Sequence, residues 1–233
     1  MMSKLQNYLD HIFFNKPNHS YTEACKNFGK KIVDEKIDKL LTHSTIDTGM
    51  TEIELLNALD FDEHNYDEQK IQSVFAVLRT IRILSTELFF NKIRPLPRQP
   101  VRKEADLLAF KDNLLFAIEV ARSSEIAPRW VGANLNRYIY DLWGKKEEQI
   151  RSSMSHHKCE KGMLCIILDS EPAKSDLCLE VIPPFPKWLS LPVIIEGAYC
   201  NIGDPKDIHL LLSTGQFESG EKLIYAVFPR LDT

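Results

Sequence analysis

The stretch that most restricts the fold of this chain is Arg102–Ser124, RKEADLLAFKDNLLFAIEVARSS, in which two apolar segments flank the short polar turn Lys111-Asp112-Asn113. Apolar runs of this length bounded by turn residues read as strands, and Asp-Asn suits a two-residue hairpin loop that needs positive φ. Side chains two apart on a strand share a face. Glu104, Asp106, Leu108 and Phe110 therefore form one set, and Leu115, Ala117, Glu119 and Ala121 form another. With Asp112-Asn113 as the loop, Lys111 pairs with Leu114, Asp106 lies opposite Glu119, and Glu104 lies opposite Ala121. Opposed side chains have Cβ atoms about 4.5–5.5 Å apart, where like charges repel. The three carboxylates on this face need compensation. A hard divalent cation, Mg2+ or Mn2+, takes carboxylate oxygens together with water and phosphate. A solvated face with Arg or Lys partners is the alternative.

The pattern Glu104-x-Asp106, followed by Glu119 thirteen residues after the Asp at the end of an apolar strand, resembles the core hairpin of the PD-(D/E)xK nuclease superfamily. The resemblance covers about residues 67–170. It implies an α/β fold class, with a helical N-terminal part and a mixed central β-sheet flanked by helices around a restriction-endonuclease-like core. It also implies a metal-dependent endonuclease-like activity on phosphodiester bonds, with DNA in preference to RNA as the partner. Asp106 and Glu119 would hold Mg2+ or Mn2+, assisted by Glu104 and the backbone carbonyl of Val120. Glu87, near the end of the preceding helix, is a further implied ligand.

The chain departs from the family pattern at one position. The motif lysine falls on Ala121, and an alanine cannot position water or offset charge on a phosphorane-like transition state. Three explanations stand. The role has moved to Arg122 or to an Arg or Lys of the next helix; the protein is a non-catalytic relative acting in nucleic-acid binding or protein assembly; or Ala121 replaces an original lysine. Arg122 faces away from Glu119 on a regular strand, which makes it a poor substitute.

Around this hairpin the chain divides into a helical accessory region, 1–66, and an α/β domain, 67–233. Leu5, Tyr8, Leu9, Ile12 and Phe13 follow a helical stripe up to Pro17, a second helix is expected over Thr22–Thr42, and Thr51 opens a third. These helices suit a cap, a homodimer contact or a protein-partner surface, with a helix-turn-helix as the alternative. Ile71, Val74, Phe75, Leu78, Ile81 and Leu88 predict a long helix over 67–92. The segment KIRPLPRQPVRK follows, with Arg94, Arg98, Arg102 and Lys103 basic and three prolines keeping it extended, as a solvated linker or a phosphate-contacting arm. A crossover helix is expected through about Ser153, carrying Arg129 and Arg137 as nucleic-acid-binding candidates alongside Arg122 and with Lys145, Lys146 and Arg151 on its polar side. A buried strand at 162–168 comes next, then strands at 177–182, 193–198 and 223–228 and a short helix over Asp204–Leu212.

Composition narrows the remaining classes. At 233 residues and 44% hydrophobic, the chain can bury a full core, while a net charge of −4 argues against a protein that coats nucleic acid along its whole surface. No apolar run approaches the roughly 18–20 residues that span a bilayer, and MMSKLQNYLD lacks the form of a signal peptide, so no membrane association is expected. Five cysteines without framework spacing suggest reduced thiols and a cytoplasmic setting. His156-His157-x-Cys159, with Cys165 beyond it, lacks a second Cys pair and does not read as a zinc motif. There is no Gly-rich phosphate loop and no G-x-S-x-G elbow.

Overall fold

The fold is a mixed α/β arrangement, seen in a computed structural model that describes residues 4–86, 88–97, 104–122, 132–168, 189–190, 192–196, 208–213 and 225–227. Five helices come first: α1 (Lys4–Asn15), α2 (Ser20–Phe28), α3 (Lys30–Thr48), α4 (Glu52–Ala58) and α5 (Glu68–Thr86). In α1, the buried residues Leu5, Tyr8, Leu9 and Ile12 occupy one helical stripe. A capping box sets the start of α4, with the Thr51 hydroxyl accepting from the Glu54 N–H and the Glu54 carboxylate accepting from the Thr51 N–H. Helix α5 is buried on nearly every side, from Ile71 to Leu84, because it lies between the other helices and the sheet. Arg82 of α5 reaches Asp47 of α3 at 2.7 Å, and Ser85 donates to the same carboxylate at 2.9 Å, which ties the two longest N-terminal helices together.

The helix expected over Thr22–Thr42 is two helices. Gly29 ends α2 and precedes α3 with φ 90° and ψ 129°, a conformation outside the helical region that glycine adopts without steric cost. At the other end of α2, buried His19 is the N-cap, its Nδ1 accepting the Tyr21 N–H at 3.1 Å. Burial holds the His19 imidazole below its ordinary value of 6.5. Protonation of Nδ1 would also remove the acceptor that caps the helix.

The sheet begins with β1 (Asn91–Pro95), β2 (Leu107–Lys111) and β3 (Leu114–Arg122), continues after α6 (Gly132–His157) with β4 (Lys161–Leu168), and extends through β5 (Leu189–Ser190), β6 (Pro192–Glu196), β7 (Ile208–Ser213) and β8 (Tyr225–Val227). The spatial order is β1-β2-β3-β4-β6-β7-β8, with β5 pairing β4. Strands β1, β2 and β3 are antiparallel, and β3 and β4 are parallel, as a crossover through α6 requires. Asp112 and Asn113 both take positive φ, 52° and 63°, and Lys111 pairs with Leu114, so the hairpin has the expected loop and register.

Two other expectations change. Residues 91–95 form an edge strand on β2, interrupted by a bulge at positive-φ Lys92, where an extended linker was expected. The helix expected over Asp204–Leu212 is replaced from Ile208 onward by β7, which pairs antiparallel with β6. A short continuous apolar run suits either state, and sheet pairing decides it.

The sheet has two covered faces. Leu107, Ala109, Phe116, Ile118, Met163 and Cys165 share one core with α1–α5, and Leu108 and Ala117 share another with Leu96, Ala105, Cys159 and Met154 of α6. No helix among the described residues is long and apolar enough to cross a membrane.

Both ends of α2 yield tests. Gly29→Ala should cost about 1–3 kcal/mol in urea unfolding through backbone strain alone, since no atom lies within 4 Å of the added Cβ. Gly144→Ala, within α6 and equally uncrowded, should instead add about 0.5–1 kcal/mol. For His19, a folded value below the unfolded one means that its contribution is complete above about pH 6.5 and declines as the pH falls. The denaturation midpoint should therefore drop between pH 7.5 and 5.5 more in the unaltered chain than in His19→Asn, and equal drops would exclude this role.

Candidate functional site

The hairpin register sets two acidic residues opposite each other. Leu107 pairs with Ile118, so continuing the register sets Asp106 opposite Glu119, on the sheet face that α6 covers. Asp106 ends the ladder with its own side chain, Oδ2 accepting the Val120 N–H at 2.8 Å. Its carbonyl accepts the Leu96 N–H at 2.9 Å, which joins the end of β1 to the entrance of β2. Glu119 is only 1% exposed. An ionised carboxylate at that depth requires a cation or several donors.

Helix α6 supplies the cation. Lys146 Nζ lies 2.6 Å from Glu119 Oε1 and 3.3 Å from Gln149 Oε1. Gln149 in turn donates to the Glu104 carbonyl at 3.3 Å, and Ser153 Oγ accepts the buried Ala105 N–H at 2.7 Å. Positions 146, 149 and 153 lie on one stripe of the helix, so a single face of α6 holds both the segment 104–106 and Glu119.

The negative charge of the pair is felt through the sheet. Cys165, aligned with Val120 on β4, is fully buried, and its thiol is pushed well above the usual range by burial first and then by Asp106 and Glu119. Asp106 also borders a cavity of about 30 Å3 lined by Lys70, Ser73, Val77 and Leu96, enough space for a water-sized ligand.

The remaining sequence candidates fall in different places. Ala121 is buried, aligned with Ile166, and two residues from Glu119 on the same face, so position 121 contributes no charge. Val120 meets Asp106 through its N–H. Glu104, expected beside Asp106 and Glu119, turns its carboxylate to His157 and His156, with Oε1 at 3.6 and 3.9 Å from their Nε2 atoms. Arg94 is exposed on β1. Glu87, Arg98, Arg102, Lys103 and Arg129 lie outside the described residues, as do the side chains of Arg122 and Arg137. Cys159 is part of an apolar cluster, and burial raises its thiol to about 11.

Lys146 is the residue that sequence reasoning placed only on the polar side of the helix. Its signal was the spacing Lys146-x-x-Gln149-x-x-x-Ser153, polar side chains at helical intervals that become meaningful once the rotation of α6 is known. Comparison with protein-family models, curated proteins and solved structures finds no match to this chain.

Replacing Lys146 with Met should expose the cost of the buried carboxylate. We expect a loss of about 1–3 kcal/mol in urea unfolding at pH 7, largely recovered in the double variant with Glu119→Gln. Additive effects of the two substitutions would show that the contact carries no coupling.

Proposed function

We propose that this chain is a Mg2+- or Mn2+-dependent hydrolase of phosphodiester bonds in nucleic acid, with DNA preferred over RNA. The observation that carries the reading is Lys146 Nζ at 2.6 Å from Glu119, the carboxylate opposite Asp106. An ammonium thus stands beside the paired acids although position 121 is alanine. This favours the first of the three explanations, a lysine role moved to the following helix.

The donor set fits a hard cation. Asp106 and Glu119 offer carboxylate oxygens, each group with about four lone-pair directions, so a hydrogen bond at one oxygen does not exhaust its capacity. These two residues would hold the ion, which supplies Lewis acidity and lowers the pKa of a bound water. Lys146 orients the attacking water and offsets negative charge as one P–O ester bond breaks. The Val120 N–H and the Leu96 N–H fix Asp106 in place before substrate arrives. Exposed Arg94 offers a contact to the phosphate backbone.

A second reading has one observation in its favour. Glu119 is 1% exposed and already paired with Lys146, as it would be in a protein that kept the pair only for folding and acts in nucleic-acid binding or assembly. Cleavage assays separate the two. Labelled single- and double-stranded DNA and RNA are incubated with Mn2+ or EDTA and with the unaltered chain, Asp106→Asn, Lys146→Met, or Lys146→Met combined with Ala121→Lys. Metal-dependent cleavage by the unaltered chain should fall at least about 100-fold in both single variants and recover in part when lysine is returned at position 121. Absence of cleavage by every chain, with circular dichroism showing each folded and calorimetry showing no Mn2+ binding, favours the second reading.

A further inference from the structure

We propose that Glu104, His156 and His157 form a second, separate metal site that takes a borderline divalent ion of the zinc class. One ligand atom from each residue lies within 4.8 Å of the other two. Glu104 Oε1 is 3.6 Å from His157 Nε2 and 3.9 Å from His156 Nε2. Ligands bound to tetrahedral zinc at about 2.0–2.2 Å lie roughly 3.3 Å apart. Side-chain rotations that draw Glu104 towards the histidines by about 0.3 and 0.6 Å, and the two imidazoles together from within 4.8 Å, close the site around an ion.

The donor chemistry selects the metal. Two imidazole nitrogens and one carboxylate oxygen suit Zn2+, Co2+ or Fe2+, whereas Mg2+ and Ca2+ favour all-oxygen shells. The location also favours a cation. His156 and His157 are in the last turn of α6, where the carbonyl end of the helix carries partial negative charge. The side chain of Glu104 is 6% exposed, so its carboxylate is held beneath the surface beside the two imidazoles. That of His156 is 48% exposed, which leaves an entry path and an outward position for water or another ligand.

The surroundings hold the carboxylate in position before an ion arrives. Gln149 bonds the Glu104 carbonyl and Ser153 bonds the next amide, so the backbone that carries the ligand is anchored to the same helix as the histidines. Lys146 and His157 are eleven residues apart, about 16 Å along an α-helix, so the two groups of acids meet different turns of α6. An ion here clamps the entrance of β2 to the end of α6, two residues from Asp106. This role holds whether or not the chain cleaves nucleic acid.

Metal binding by the full chain tests the site without any activity measurement. The metal-free protein is titrated with Zn2+ against a chromophoric chelator in excess Mg2+, and with Co2+ under visible spectroscopy. One equivalent should bind, raise the melting temperature, and give cobalt d–d bands without a thiolate charge-transfer band. Affinity should fall at least about tenfold in Glu104→Gln, His157→Ala and His156→Ala, and stay unchanged in Asp106→Asn. The half-exposed position of His156 makes its variant informative even if the other two fail to fold. Failure to retain zinc, equal affinity in His156→Ala, or a thiolate band would overturn the site.

Discussion

A carboxylate buried in the middle of a sheet governs the architecture around it. Glu119 sits on β3 between β2 and β4, 1% exposed, in a setting where an isolated charge is strongly disfavoured. Compensation comes from the covering layer, where the rotation of α6 turns Lys146 to the sheet. The same rotation brings Gln149 and Ser153 over the chain at 104–105 and carries the histidine pair to Glu104. Apolar packing alone would permit several rotations of an amphipathic helix. The polar stripe selects one of them, because each member has a partner only in that orientation.

The opposite face follows a different logic. There a large apolar core is shared with the helices, with α5 between the sheet and the remaining helices, and Phe90 packed edge-on against Phe116. The buried polar groups on that side join helices to one another, as where the Ser44 hydroxyl donates to the Leu40 and Leu78 carbonyls and Gln72 donates to Ser20. One side of the sheet thus supplies most of the buried apolar surface, and the other carries most of the chemistry.

How much of this was legible in the sequence depended on the range of the interaction that decides each feature. The hairpin was legible because Asp112-Asn113 and strand alternation act within a few residues, and together they set Asp106 opposite Glu119. The parallel strand after the crossover helix was legible for the same reason. The break at Gly29 was missed because the apolar stripe continues on both sides of it, and only the backbone angle of the glycine interrupts the helix. The pairing of Lys146 with Glu119, 27 residues apart, and the attraction of Glu104 to two histidines depend on tertiary rotation, for which a helical pattern gives only a set of options. Strand β1 was obscured by Pro95 and the prolines that follow it, which sequence patterns read as linker, although an edge strand tolerates a proline at its end.

That edge has a consequence for how copies of the chain can meet. Among the described residues, strand β1 forms the outer rim of the sheet, the position from which a neighbouring molecule would ordinarily extend the hydrogen-bonded ladder. Here the rim is bulged at Lys92, carries outward Lys92 and Arg94, and ends at Pro95, which has no N–H to donate. Lys92 is also drawn back over the Phe110 ring, with its Nζ 5.3 Å from the ring centre. A second chain approaching along this rim meets like charge and an interrupted row of donors. The β1 edge is therefore protected against runaway strand addition.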